Sequence, residues 1–401
     1  MRLLLSKQHI FDVLPNIFAR HRVRGHTIME IAVQKEVLEW ALARAGKAQD
    51  QLEQDFPKLN QWLSGENGPS LPQLRQLANK LHLPLGFLLL QKPPELKLPL
   101  RLFRTRGDGP IQNPSTELID TLYAMERRQS WLRDYFINEG MSELSFVGSC
   151  NINDETAVVT DRMRKVLKLQ QNWAAEYQNK DEAIKALRSS IEKSGVFVFS
   201  NGIVRNNTHR KLNVNEFLGF VMCDKYAPII FVNNADFKAA QIFTLAHEFA
   251  HVMFGLSAAF DLDELQPAND PGEKACNAVA AEFLVPGEAL SQYRASLQQS
   301  DFQSAASAFK VSEIVIARRA LDGNIIERSQ FFKFYNEYRE RERSQESPGG
   351  GNFYNSQNSR VGKYFATILK KALGENKIMH REAYSLTGLY GKTFDNYLFE
   401  S

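Results

Sequence analysis

Between Phe243 and Phe254 the chain carries His247 and His251 four residues apart, with Glu248 directly after the first. Residues four apart on a helix stand nearly above one another, so both imidazoles can meet one metal ion with the carboxylate beside them. This H-E-x-x-H spacing is that of zinc hydrolases, in which the glutamate serves as general base. The competing reading is a buried helix with incidental histidines. It leaves two polar rings in a segment otherwise built from Ile242, Phe243, Leu245, Ala246, Phe249, Ala250, Val252 and Phe254, and buried polar rings need partners. Metal ligation supplies them.

A catalytic zinc takes three protein ligands and keeps a position for water. No other histidine lies near this stretch, so a carboxylate must complete the set. A second helix is expected to begin with Asp270 as N-cap and Pro271 at its first position, and to stop at Pro286. Glu273 and Glu282 stand on opposite sides of it, so only one can face the metal. Glu273 is favoured, and Asn277, four positions on, is placed to orient a ligand histidine through its ring N–H. Glu282 is the second choice, and Asp261, Asp263 or Glu264 the third. Glu273 could alternatively complete a capping box with Asp270. With Zn2+ held by His247, His251 and Glu273, Glu248 takes the proton of a water attacking a carbonyl and passes it to the leaving amine. Tyr226, Tyr293 and Arg294 are candidates for the oxyanion donor by location alone.

The elements that must position these groups read as strands followed by the metal helix. Gly195–Ser200, Phe217–Cys223 and Ala227–Asn233 are rich in Val and Phe, and the last two form a hairpin across Asp224-Lys225-Tyr226. Pro228 is expected to put the last strand at the sheet edge, where a missing N–H is tolerated. That edge would either pair with an extended substrate or be covered by a loop. Residues 233–236 are expected to cap a helix running from about Phe237 to Phe254 and ending at Gly255.

Four hundred and one residues with 43% hydrophobic content suffice for two or three domains. A net charge of +3 gives no whole-chain argument for nucleic acid or an anionic membrane. Cys150, Cys223 and Cys276 form no C-x-x-C pair, which points to a reducing compartment rather than a disulfide framework. The apolar run at the N-terminus is interrupted by Lys7, and no later run approaches a membrane span, so a cytoplasmic protein with no membrane partner is expected.

The expected class is α+β. Residues 1–92 read as an all-α, helix-turn-helix-like domain, although Asp12 to Arg24 show no convincing period. Residues 93–193 read as a connector, proline-rich from Gln91 to Pro99, and a helical scaffold. The zinc domain follows at 194–336, then a mixed-charge linker at 337–352 and a helical tail at 353–401. Basic residues of that tail, such as Arg360, Lys363, Lys370 and Lys371, read as a solvated face, and Arg101–Arg106 as interface or solvated arginines.

Trp62, Gly65-Glu66 and Pro69-Ser70-Leu71 resemble the Xre-type helix-turn-helix repressor domain over residues 35 to 92, which implies DNA contact through this domain. The turn compressed into Phe56-Pro57-Lys58 leaves little to enter a major groove, so a module that packs on another surface stands beside the DNA reading and no DNA-contacting residue is assigned. Asn206–Arg210, Phe217–Phe220, Ala227–Asn233, Lys238–Glu248 and Ala280–Pro286 together look like the ImmA/IrrE family of metallo-endopeptidases, in the branch with an N-terminal Xre-like domain. The resemblance implies a gluzincin-like domain with ligands His247, His251 and Glu273 and base Glu248. It also implies regulated cleavage of a repressor or antitoxin-like protein in a stress, phage or mobile-element circuit, and places the helix-turn-helix rhythm of Val311–Leu321 within the peptidase fold. The alternative is a DNA- or partner-binding regulator whose metal site is structural or vestigial.

Overall fold

The computed structural model describes residues 18–23, 26–46, 49–94, 114–214, 216–234, 238–260, 270–344 and 357–400. The chain divides into two compact units, Met1–Leu98 and Pro99–Ser401. No helix among the described residues is long and apolar enough to cross a membrane.

The first unit corrects the all-α expectation. It opens with an antiparallel hairpin of β1 (Phe18–Val23) and β2 (His26–Ile31), in register from Phe18 opposite Ile31 to Val23 opposite His26. Basic residues Arg20, His21 and Arg22 interrupt the apolar alternation that would have signalled a strand. The usable signal in the sequence was the dipeptide Arg24-Gly25 between the two runs. Helices then follow at Lys35–Arg44, Gln49–Asp55, Leu59–Ser64 and Leu71–Lys80, with a 3-10 turn at Leu85–Leu89. Ile31, Leu38, Ala41, Leu52, Leu59, Trp62, Leu74 and Leu77 form their common core. Gly65 ends the third helix in the left-handed region at φ 76°, and Ser70 N–H donates to Gln73 Oε1 at 2.9 Å to start the fourth. The connector beyond residue 94 and Arg101–Arg106 lie outside the described residues.

The second unit is built on a four-stranded sheet. Its strands are β3 (Phe197–Asn201), β6 (Gly219–Met222), β7 (Ile229–Asn233) and β8 (Ala258–Phe260), with a small hairpin, β4 (Ile203–Val204) and β5 (Asn207–Lys211), leaving the end of β3. The spatial order is β3-β7-β6-β8, with β3 parallel to β7 and both other pairings antiparallel. Successive side chains point to opposite faces. Val198, Val221, Ile230 and Val232 therefore share one core with the helix Lys238–Phe254, which carries His247 and His251. Phe220 stacks on Phe231 at 4.9 Å and Phe199 meets Phe365 at 5.7 Å on the other face. That second face is covered by the helix Thr116–Asn138, whose Gln129 Nε2 donates to Met222 O at 2.7 Å and Ala227 O at 3.0 Å.

Three expectations about the surroundings change. β7 is interior, paired on both sides, so Pro228 does not mark an edge and no substrate strand can add there. Pro228 lies just before the first paired residue, Ile229, and needs only its carbonyl, which accepts from Phe197 N–H at 2.9 Å. Its missing N–H costs no ladder bond. The stretch from 337 is helical rather than linker up to residue 344, because the helix Arg328–Ser344 runs through it and Arg341 reaches Glu313 at 3.3 Å. The glycine-rich part beyond 344 lies outside the described residues. Of the tail's basic residues Lys363, Lys370 and Lys371 are exposed as expected, but Arg360 is half-buried, because this helical region packs on the rest of the unit. Helices Lys363–Gly374, His380–Thr387 and Gly391–Asp395 form it; the first docks through Phe365 against Trp131 and Tyr364 against Phe197, with ring centroids 5.8 and 4.7 Å apart, and the second through Leu386 O, which accepts from Arg128 Nε at 2.8 Å. Gly362, at φ 82°, lies so close to the Phe199 ring that a Cβ would stand 3.1 Å from it.

Candidate metal centre

The helix Lys238–Phe254 is apolar on nearly every side and is buried accordingly. It stops at Gly255, whose φ of 70° is left-handed and whose Cα faces Gly148 so closely that a Cβ would meet the Gly148 Cα at 2.9 Å. Gly148 N–H and Cys150 N–H then donate to the terminal carbonyls of Val252 and Met253, each at 3.0 Å. Of the expected N-terminal cap, residues 235 and 236 lie outside the described residues.

On this helix His247 and His251 point their Nε2 atoms at one another across 3.0 Å. The second helix, Pro271–Leu284, brings Glu273 to both, with Oε2 at 3.1 Å from His247 Nε2 and Oε1 at 3.2 Å from His251 Nε2. One donor atom from each of the three residues lies within 4.8 Å of the others. Tetrahedral zinc with bonds of about 2.0–2.1 Å has ligand–ligand edges of roughly 3.3 Å, so the observed separations fit a two-histidine, one-carboxylate set. His247, Glu248, His251 and Glu273 are all at most 2% exposed.

The contest between ligand and cap is resolved locally. Asp270 Oδ1 accepts from Gly272 N–H at 2.8 Å and Glu273 N–H at 3.1 Å, which leaves the Glu273 side chain for the histidines. Asn277 Oδ1 stands 3.1 Å from His247 Nδ1 and fixes that ring with Nε2 directed at the cluster. Glu282 lies elsewhere, ion-paired with Arg319 and accepting from Gly287 N–H at 3.4 Å. Asp261, Asp263 and Glu264 lie outside the described residues. Tyr226 sits in the β6–β7 turn with its N–H on Asp224, Tyr293 packs against Phe309, and Arg294 opens the short helix after it. None of these three belongs to the cluster of His247, His251 and Glu273.

Glu248 is the least satisfied group. Neither carboxylate oxygen has a hydrogen-bond partner among the described residues. Burial, reinforced by the Glu273 charge, holds its pKa well above the usual carboxylate range. Burial alone would also raise Glu273, but hydrogen bonds from His247 and His251 outweigh it and draw that carboxyl down. Burial lowers His247 and pushes the nearby Cys223 thiol up to about 12. A buried pair of carboxylates beside two imidazoles is the environment that a divalent cation neutralises.

Sequence reading missed Gly219. A Cβ there would stand 2.9 Å from Glu248 Oε1, 2.7 Å from Thr244 Cγ2 and 2.9 Å from Phe231 O, so only glycine lets β6 pass over the carboxylate. The available signal was a glycine inside a strand, in Phe217-Leu218-Gly219-Phe220, which marks close approach of another group.

Comparison with known families adds two matches. Residues 191–321 match the family described as IrrE N-terminal-like domain, Peptidase_M78. Residues 361–400 match a domain of unknown function, DUF8813. No curated protein matches the chain. The first span holds His247, Glu248, His251, Glu273 and Asn277, and the second covers the docked C-terminal helices.

Proposed function

From the premise that residues 191–321 form a Peptidase_M78 domain of the ImmA/IrrE family, we propose that the chain is a zinc-dependent endopeptidase. Its action is a regulated, narrow-specificity cut in a repressor or antitoxin-like protein. The observation that carries this reading is the convergence of His247, His251 and Glu273 beside a buried, unbonded Glu248 carboxylate. His247, His251 and Glu273 are the residues that would hold the metal in a gluzincin-like domain, and Asn277 positions His247.

Zinc held there supplies Lewis acidity toward a peptide carbonyl and toward water. Glu248 accepts the proton of the attacking water and delivers it to the departing amine nitrogen. With no competing hydrogen bond, both of its oxygens are available for that exchange. Gly219 keeps the β6 backbone clear of the carboxylate. Substrate pairing, excluded at β7, is assigned to β8, an edge strand among the described residues that pairs with β6 at Gly219. The Xre-like first unit provides a route to a DNA-bound partner.

The test compares wild type with Glu248→Gln and His251→Ala, each co-expressed with its genomic neighbours. Metal content is measured on the purified protein, and new protein N-termini are mapped in the cells. Glu248→Gln should keep its metal and generate no new termini, whereas His251→Ala should lose both. Identical cleavage products from wild type and Glu248→Gln would sink the proposal.

A further inference from the structure

A second polar site lies away from the metal centre, where the helix Thr116–Asn138, the β4–β5 turn and the C-terminal helices enclose a cavity of about 30 Å³. Arg128, Arg205 and Arg360 all line it, together with Asn206 and Ser385. Arg128 is only 6% exposed. Its guanidinium lies 4.6 Å from the Phe199 ring centre and 5.4 Å from that of Phe365. Nε donates to Leu386 O at 2.8 Å and Nη1 to Arg360 O at 2.9 Å. Nη2 has no hydrogen bond among the described residues.

The remaining polar groups make the cavity rich in donors and poor in acceptors. Asn206 Oδ1, a side-chain acceptor lining the cavity, already receives Gln357 Nε2 at 3.1 Å and Arg360 Nη1 at 3.3 Å. Asn206 Nδ2 is spent on Gly388 O at 3.0 Å, and Asn201 Nδ2 on Arg205 O at 2.7 Å. None of Arg128, Arg205 and Arg360 has a carboxylate partner among the described residues, and Asp120 and Glu117 on the neighbouring turns are bonded to Arg210. Burial, and then the Arg205 charge, press the Arg128 pKa down to about 9, which still leaves it cationic at neutral pH. A buried cation without an anion is a costly arrangement, and three arginines from separate segments sharing one cavity compound it.

We propose that this cavity binds a phosphoryl-sized oxyanion, either inorganic phosphate or the phosphate end of a small monoester. Its volume matches roughly two or three water positions at about 10–15 Å³ each, the scale of a single phosphoryl group. A tetrahedral anion offers oxygens in several directions at once, which suits guanidiniums arriving from a helix, a hairpin turn and the C-terminal region. The bound anion would link Leu386 and Arg360, in or beside the DUF8813 segment, to the end of β3 in the peptidase-like segment. Nothing in this proposal depends on the metal centre.

The experiment is calorimetric titration and thermal melting of the full chain with inorganic phosphate, against sodium chloride at equal ionic strength, and in parallel with glycerol phosphate. Phosphate should bind and raise the melting temperature where chloride does not. Arg205→Gln and Arg360→Gln should each weaken binding about tenfold or more, with Arg205→Lys intermediate. These side chains hold no backbone carbonyl, so the variants test the site without removing Arg128 from the core. Tighter binding of glycerol phosphate assigns the site to an organic phosphate, and tighter binding of inorganic phosphate assigns it to the free ion. Phosphate acting no differently from chloride, or binding both glutamine variants as tightly as wild type, would overturn the proposal. The latter result would mean that the anion sits elsewhere, including at the metal centre.

Discussion

Replacing Gly219 with alanine is the sharpest perturbation of the candidate site, because it adds one methyl group and touches no proposed ligand. The new Cβ would stand 2.7 Å from Thr244 Cγ2, 2.9 Å from Glu248 Oε1 and 2.9 Å from Phe231 O. Ordinary contacts between such atoms begin near 3.5 Å, so something must move by several tenths of an ångström. Phe231 O belongs to the β6–β7 ladder and Thr244 to the buried metal helix, which leaves the Glu248 carboxylate as the most movable of the three. Overpacking of this kind costs about 1–3 kcal/mol. In a folded unit of this size that corresponds to a melting temperature lower by about 2–8 °C. Misplacement by about 1 Å costs on the order of a hundredfold in rate, so a base shifted by several tenths of an ångström should lose roughly tenfold. Differential scanning calorimetry, metal analysis and cleavage of an identified substrate would measure the three effects separately. Gly219→Ala should be less stable and roughly tenfold slower while retaining its metal. Wild-type stability together with wild-type cleavage would refute the close-packing argument, and loss of metal at wild-type stability would place the damage in the ligands.

Other perturbations follow from the same geometry. Asn277→Ala removes the partner of His247 Nδ1 and should weaken zinc about 10–100-fold in a chelator competition, while Glu282→Gln, which disturbs the Arg319 and Gly287 contacts away from the cluster, should leave zinc affinity unchanged. Chelation should lower the wild-type melting temperature, by about 4 kcal/mol of stability if zinc was present at a thousand times its Kd, and leave His251→Ala unmoved. Arg210 bridges Glu117 at 3.0 Å and Asp120 at 2.8 Å, and although burial opposes it, the Arg210 hydrogen bond holds Glu117 below its ordinary pKa. A depressed carboxyl pKa stabilises the fold above the unfolded value of about 4.3 and loses that contribution as pH falls through the folded value. Arg210→Ala should therefore cost about 2 kcal/mol at pH 7, less than a fully buried pair because both acids are about a quarter exposed. In urea titrations the deficit should shrink at pH 3, and an equal deficit at both pH values would contradict the assignment.

Local periodicity carries only part of this architecture. The metal helix and the helix bearing Glu273 are legible because their signals are short-range: a four-residue spacing of histidines, an Asp-Pro start and a Pro stop. The opposition of Glu273 and Glu282 follows from the helical turn alone, and in the structure one faces the histidines and the other Arg319. β7 is different. Its composition marks a strand, but its place between β3 and β6 depends on a parallel pairing with residues more than thirty positions earlier, which no local pattern encodes. Pro228 misled because its missing N–H matters only within a ladder, and it stands one residue outside.

The C-terminal helices show the same limit from the opposite direction. An amphipathic pattern says that one face is covered without saying by what, so Phe365 and Tyr364 could not announce Trp131 and Phe197 as their partners. Arg360 reads as one more solvated basic residue until the fold sets it beside Arg128, which comes from a helix more than two hundred residues earlier. Gly219 and Arg360 thus share a property that single-sequence reading lacks. Each derives its chemical meaning from a distant neighbour, Glu248 in one case and the other arginines in the second. Catalytic residue types can be found by spacing, whereas the residues that make room for them or gather charge around them become readable only when the chain has folded back on itself.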